Sequence, residues 1–510
     1  MNTPRLSWLR RAHWAPLLSL CIAGLARQAA AETLSADQAV SRAATNNPSL
    51  RAALLDATAA RQGLAAERGA RDPNLVAALQ AEHSEKAGRA GDPGPGLDGN
   101  GASSRSVTDA LSSRAAVSYT TEIGTQLELG ASTGVSWDKR SWSGASPLPD
   151  NLNLGPSYSA EAYLSARQPL LRGAGRAVQL APLRQAEAAA QAAESRKQQA
   201  ASQTALDVLE AYWNLWYAER AVAVQEQAQG VAARLVNDAK LRADTLGTGA
   251  QVDVLQFTTS AASIADALSR ARAERTTRAI ELGRLLGMSP AAARDLQATG
   301  DPPAPGPSQE PDELTQAVDA SSPELAALRA DLQRARSRVS VARNADQPRV
   351  DLFATGSIGT LWGDNQSFSL AGGRPTYGVL GGIEVELPLG SGRTGADAAA
   401  AQAELDAAEA RYDAQLQALR AQASSLSVSL QAAADQVSLT SETANAAGQL
   451  AEAERQRLLL GTTTSQNVVT AEQTAREAEL RRLQALVNQA SARFALEHTT
   501  GHLLDRFAAL

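Results

Sequence analysis

Residues 412–430 read YDAQLQALRAQASSLSVSL. Tyr412, Leu416, Leu419, Ala423, Leu426 and Leu430 stand 4, 3, 4, 3 and 4 residues apart, the spacing of a coiled-coil seam. Leu480, Leu483, Val487, Ala490 and Phe494 repeat the pattern further on, as do Phe257, Ala261, Ile264, Leu268 and Ala271 earlier. Both regions are free of proline: none occurs from Leu183 to Ser289, and none after Pro388. An interior proline costs a helix about 3 kcal/mol, so these gaps are where long helices can run. Each gap has one break, at Leu246-Gly247-Thr248-Gly249 and at Leu460-Gly461-Thr462-Thr463. Each gap therefore predicts a helical hairpin that turns at those residues. At 1.5 Å per residue, outgoing helices over 182–245 and 396–459 would be ~95 Å long, beyond any ordinary globular domain.

Ahead of each hairpin the period changes from helical to two. Leu127, Leu129, Ala131, Thr133, Val135 and Trp137 alternate with Gln126, Glu128, Gly130, Ser132, Gly134 and Ser136. Tyr158 to Ala166 does the same, and Val379, Gly381, Ile383, Val385 and Leu387 alternate with polar positions that include Glu384 and Glu386. Two-faced runs of about ten residues suit transmembrane β-strands; a soluble two-faced sheet is the alternative. The Gly/Ser/Pro/Asp-rich stretches 86–104 and 139–157 read as long surface loops.

The plan occurs twice. Pro48 and Pro73 are separated like Pro323 and Pro348, and Asn47-Pro48-Ser49-Leu50 parallels Ser322-Pro323-Glu324-Leu325. Gly247 and Gly287 find counterparts in Gly461 and Gly501. The expected division is a first repeat over 32–297, a connector over 298–311 with five prolines, and a second repeat over 312–510.

Residues 1–31 read as a secretory signal: Arg5, Arg10 and Arg11, an apolar run from about Trp14 to Ala26, then Ala29-Ala30-Ala31. The run is shorter than the roughly 20 residues a membrane anchor needs. Cys21, the chain's one cysteine, follows Leu20 rather than the small residue a lipidation signal wants. Without the segment's four arginines, 44 basic residues face 54 acidic ones, a net charge of −10 that disfavours nucleic acid as a partner. No later segment resembles a transmembrane helix, so membrane residence would have to come from strands.

Taken in this order, the residues resemble the TolC-like outer-membrane efflux family. The carrying features are Asn47-Pro48-Ser49-Leu50, Gln168-Pro169-Leu170-Leu171 at a strand end, the proline-free hairpins, the Leu-Gly-Thr tips and the duplication. The resemblance implies an α+β membrane protein, a homotrimer in which each chain gives four strands to a shared outer-membrane β-barrel. The barrel would continue into a periplasmic α-helical barrel. The first half has four strand-like runs (75–83, 113–123, 125–137 and 158–168) where the resemblance implies two crossings. The implied function is a passive exit duct of a tripartite efflux or type I secretion system. It would have a periplasmic adaptor and an inner-membrane pump as partners, outer-membrane lipid around it, and no cofactor.

The resemblance also implies that the adaptor docks at the tips, here Leu246, Gly247, Thr248, Arg457, Leu460, Gly461 and Thr462. It implies an acidic periplasmic aperture at positions that here hold Asp253 and the uncharged Asn467 and Thr470. Residues that lock well-known members closed fall on Leu458 and Thr463, which depart from the family pattern. Asp253 has a second reading, as an acid favoured by the dipole at a helix start.

Other features point elsewhere or nowhere. His498 and His502 are four apart, a spacing that can share a metal, but two ligands make no site and they read as surface residues. Tyr212, Trp213, Trp216 and Tyr217 read as helix packing rather than a ligand platform. Tyr119, Trp137, Trp142, Trp362 and Tyr377 are candidates for aromatic girdles at the membrane interfaces. No catalytic or phosphate-binding arrangement is evident, so an envelope enzyme is disfavoured. A periplasmic coiled-coil scaffold is the chief alternative, and it lacks a use for the strands. The cargo is not legible.

Overall fold

The computed structural model describes residues 32–89, 103–143, 151–246, 251–304, 310–363, 374–387, 390 and 392–507. The expected signal 1–31 and the first tip's Gly247 and Thr248 lie outside them. The first half runs β1 (Thr33–Leu34), α1 (Ala36–Asn46), α2 (Pro48–Gly69), β2 (Asn74–Arg89), β3 (Ser103–Thr120), β4 (Gln126–Ser143) and β5 (Asn151–Pro169). It continues with α3 (Arg176–Gln179), α4 (Ala181–Leu246), α5 (Gln251–Leu285), α6 (Pro290–Ala293) and β6 (Gln297–Ala298). The second half runs α7 (Pro311–Ser321), α8 (Pro323–Ala345), β7 (Arg349–Trp362), β8 (Arg374–Glu386), α9 (Gly392–Leu459) and α10 (Ser465–Thr499), closed by a 3₁₀ turn at Leu503–Arg506.

The duplication is visible in the caps. Pro48 and Pro323 each occupy the first turn of a helix, where a missing N–H costs nothing. Asn47 Oδ1 accepts from the Ser49 and Leu50 amides, and Ser322 Oγ from that of Leu325. Gly287 and Gly501 end the return helices with φ of +69° and +82°. At Gly287 an added Cβ would meet the Asn46 carbonyl oxygen at 2.8 Å, and at Gly501 the Ser321 carbonyl oxygen at 2.3 Å. Asn46 and Ser321 are themselves matched, each the last residue of the short helix before the capped proline.

The outgoing helices α4 and α9 have 66 and 68 residues, and the return helices α5 and α10 have 35 each. Because α5 covers only part of α4, α2 and α8 complete its flank towards the sheet. Arg61 and Arg68 of α2 reach Glu194 and Glu187 of α4 there, and Arg196 of α4 reaches Asp331 of α8. The predicted seam holds. Leu419 and Ala423 are buried against Leu314, Val318, Leu325 and Leu496, with Tyr412, Leu416, Leu426 and Leu430 packed around them. Leu483, Val487, Ala490 and Phe494 enter the largest core, and Phe257, Ile264 and Leu268 are buried as their spacing requires.

That largest core sits midway along the helices, around Val40, Leu209, Tyr212, Leu282, Leu296 and Leu503. It also anchors the parallel pair β1–β6. Tyr212 Oη donates to the Leu34 carbonyl at 3.0 Å and accepts from the Thr299 amide at 2.9 Å. Trp216 Nε1 donates to the Gly300 carbonyl at 2.7 Å. The aromatic cluster of α4 is thus packing, as expected.

The other strands form one antiparallel sheet in the order β2-β3-β4-β5-β7-β8. The sheet thus has six strands, two more than the four per chain that the resemblance implies. All four strand-like runs of the first half pair into it. The loops are also shorter than expected. β2 continues to Arg89 and β3 begins at Ser103, while β4 continues to Ser143 and β5 begins at Asn151. Alternation fades in these extensions because polar side chains take over, as in the Arg105–Glu85 (2.7 Å) and His83–Asp109 (2.6 Å) pairs. Ladder hydrogen bonds hold the strands regardless of which side chains they carry.

Candidate functional site

The sheet's two faces differ in kind. One carries exposed apolar side chains in cross-strand rows. Leu75, Val117, Leu129 and Leu164 are directly paired neighbours, followed in the same row by Gly356 and Val379. Ile358 is paired with Tyr377, and Leu352 with Ile383. Val379 is 87% and Tyr377 89% exposed, a disposition that water would penalise and lipid favours.

The opposite face is polar and cross-linked. Arg167 Nη1 donates to Asp351 at 2.9 Å and to Glu384 at 2.7 Å, joining β5, β7 and β8. Arg349 also donates to Asp351, and Arg172 lies 3.0 Å from Glu386. Higher on this face Arg114 pairs with Glu128 and stacks over the Tyr163 ring at 5.3 Å. Tyr163 Oη donates to Glu128 at 2.6 Å. A wall that is apolar outside and charged inside can line a wet conduit through a bilayer. The sheet also leaves the scaffold alternative without an account of these strands. Among the described residues no helix is long and apolar enough to cross a membrane.

At the far end of the helices, the second hairpin turns through a Schellman motif. Gly461, at φ +73°, donates its amide to the Leu458 carbonyl, and Thr462 donates its amide to that of Arg457. Thr464 then caps α10, its side chain accepting from the Asn467 amide. Glu454 braces the turn, accepting from Arg457 Nη1 at 2.6 Å and from Thr463 Oγ1 at 2.6 Å. The Thr463 hydrogen bond, helped by the Arg457 charge, holds the Glu454 carboxyl below its ordinary pKa. Leu459 and Leu460 point into solvent at 74% and 77% exposure, while Leu458 is buried with Ala239, Phe257 and Val468. Leu458 thus packs the tip and Thr463 holds Glu454.

Of the other expected site residues, Leu246 is the last residue of α4. Asp253 lies in the first turn of α5 and accepts from Ser465 Oγ at 2.6 Å, tying the first hairpin to the second. Asn467 is exposed and donates Nδ2 to Thr463 Oγ1 at 3.2 Å. Glu454 and Ser465 were not singled out from the sequence. The signal available for Glu454 was its three-residue spacing from Arg457, which permits an ion pair along one helix face. Nothing local marks Ser465, whose partner belongs to the other hairpin.

His498 is not a surface residue: it is half-buried, with Nδ1 2.7 Å from Ser202 Oγ, and burial lowers its pKa. Among the described residues no group of three or more metal-ligating side chains exists. Tyr377, Tyr119 and Trp137 are exposed on the sheet as a girdle requires, whereas Trp362 is buried; the side chain of Trp142 lies outside the described residues.

A model of the outer membrane efflux protein family matches residues 123–288 and 314–502. The chain belongs to the outer membrane efflux protein family. It is an outer-membrane efflux channel, with its helical part in the periplasm, and not an enzyme. Solved structures share the fold. The outer-membrane channel OprN is 19% identical, with 92% of this chain and 90% of that one covered and a TM-score of 0.64. The CmeC outer membrane channel of Campylobacter jejuni is 14% identical, covering 92% and 86%, with a TM-score of 0.65. The outer membrane protein VceC of Vibrio cholerae is 19% identical, covering 91% and 96%, with a TM-score of 0.63. No curated protein sequence matches the chain. The family match begins at Ile123, after β3, so the efflux-protein pattern leaves β2 and β3 outside it.

Proposed function

We propose that three copies of this chain, exported by way of the signal at 1–31, form the passive exit duct of a tripartite efflux or type I secretion system. A periplasmic adaptor joins the duct to an inner-membrane pump. A single sheet with two unpaired edges cannot reside in lipid, which favours association of several copies. The observation that carries the docking part is the second tip: Leu459 and Leu460 stand exposed on a turn that Glu454, Arg457 and Thr463 hold rigid. A preformed apolar knob at the end of a long rod gives a partner a surface without an ordering cost. Leu246, Gly247 and Thr248 would supply the matching knob of the first hairpin. Asp253 would stand near the aperture, with Asn467 as its uncharged counterpart.

The test is a photoreactive residue at Leu460, crosslinked in living cells. The expected adduct is a periplasmic adaptor, and Thr462→Asp in the same chain is expected to abolish it while trimers remain at normal abundance in the outer membrane. An undiminished adduct in the Thr462→Asp chain would remove the tip from the docking site.

A further inference from the structure

We infer that each chain contributes six strands, not four, to the membrane wall, and that the channel closes by seating the β8 edge of one copy against the β2 edge of the next. Three copies then form an eighteen-stranded barrel. This rests on the proposed three-copy channel and changes its architecture.

Two arrangements could accommodate the extra hairpin. In one, β2 and β3 stand apart and the wall begins at β4, where the family match begins. In the other, they belong to the wall. Three observations favour the wall. First, the hydrogen-bonded ladder is continuous: β2 pairs with β3 from Asn74↔Ser118 to Arg89↔Ser103, and β3 pairs with β4 from Ser103↔Ser143 to Thr120↔Gln126. The β4 edge that a four-strand wall would offer to a neighbouring copy is already occupied along its whole length.

Second, the faces agree. Leu75 and Leu79 of β2, 68% and 74% exposed, fall on the same face as Leu129 of β4 and Val379 of β8. A one-residue slip would reverse every side chain, so this agreement is a register statement and not a matter of composition. Outward leucines at that height suit lipid; beside a water-filled lumen or in the periplasm they would be a liability.

Third, the inner face of the extra hairpin is built into the polar network. Arg114 of β3 pairs with Glu128 of β4 and stacks on Tyr163 of β5. A β3 standing apart from the wall could not reach both.

The free edges are then β2 and β8. Six is even, so these two edges run antiparallel and can pair as an antiparallel barrel requires. Bilayer hydrocarbon offers no other partner for their amides and carbonyls. Barrel diameter grows roughly linearly with strand number, so this wall would be ~1.5 times as wide as one of twelve strands.

Inward-facing cysteine pairs test the closure, since Cys21 is the chain's own only cysteine. An inward β2 cysteine, scanned over Asn74, Val76, Ala78, Gln80, Glu82, Ser84 and Lys86 because closure staggers the register, combined with Thr376→Cys or Gly378→Cys, is expected to give covalent trimers on oxidation in the outer membrane at the matching stagger. The same scan along β4, over the inward Glu128, Gly130, Ser132 and Gly134, with the same β8 positions is expected to give none. A bimane label at Leu79→Cys should be quenched in brominated-lipid vesicles as strongly as one at Val379→Cys. Trimers from the β4 scan, or an unquenched Leu79 label, would overturn the six-strand wall and leave a three-copy channel standing. No covalent trimer from any pair would overturn both.

Discussion

Glu454 and Thr463 meet across the second hairpin turn, with the Thr463 hydroxyl donating to the Glu454 carboxylate at 2.6 Å. The contact needs the charged carboxylate, whose pKa the Thr463 hydrogen bond lowers. A lowered acid stabilises the fold above its unfolded pKa of about 4.3, and that contribution fades as pH falls through the folded value. The protection factor of the Thr462 amide, its exchange relative to the intrinsic rate at each pH, should therefore be high at neutral pH and drop on strong acidification. Glu454→Gln should already exchange faster at pH 7. Equal protection in the two chains at pH 7 would remove Glu454 from the turn.

Gly461 and Gly501, which follow α9 and α10, should respond unequally to alanine. At Gly461 nothing lies within 4 Å of an added Cβ, so Gly461→Ala meets only the left-handed backbone penalty of about 1–2 kcal/mol. At Gly501 the Cβ would also collide with the Ser321 carbonyl oxygen. Gly501→Ala should lower the thermal midpoint of the detergent-solubilised protein, followed by circular dichroism, more than Gly461→Ala. The reverse order would contradict the packing of α10 against α7.

Tyr212→Phe removes one hydroxyl and disturbs the β1–β6 pair. The Leu34 carbonyl keeps the Thr299 amide and hydroxyl as donors, while the Thr299 carbonyl loses the Tyr212 hydroxyl. The net worth of one such hydrogen bond is about 0.5–1.5 kcal/mol. Urea unfolding should register a loss in that range, and proteolysis near Thr299 should rise. An unchanged midpoint would show that Tyr212 is a spacer only.

His498 should give the mid-helix region a mild acid sensitivity. Burial lowers its pKa, so protonation opposes the folded form. Stability should be full above about pH 6.5 and decline as pH falls below it. Thermal midpoints of His498→Gln should vary less between pH 7.5 and 5 than those of the parent chain. Parallel curves would assign the sensitivity to other groups.

The sequence made the helices readable because their signal is local and long. The Tyr412-to-Leu430 seam and the Leu480-to-Phe494 seam needed only spacing, and the turn at Gly461 needed only a break between them. The strands were readable in their lower halves, where lipid imposes alternation, and not around Arg140 or Asn151, where both faces are polar. Six-strand continuity was hidden because it depends on β5 of the first half pairing with β7 of the second, as in Arg167↔Phe353. The braces were hidden for the same reason: His498 finds Ser202 across 296 residues, and Asp253 finds Ser465 across 212.

The matching lengths of the two hairpins carry an evolutionary constraint. α5 and α10 each have 35 residues, and the two tips are joined by Asp253 and Ser465. A heptad added to one rod alone would push its end about 10 Å past its neighbour and break that link. The reach of this protein can thus change only by matched insertions in the outgoing and return helices of both halves of a gene that was once doubled.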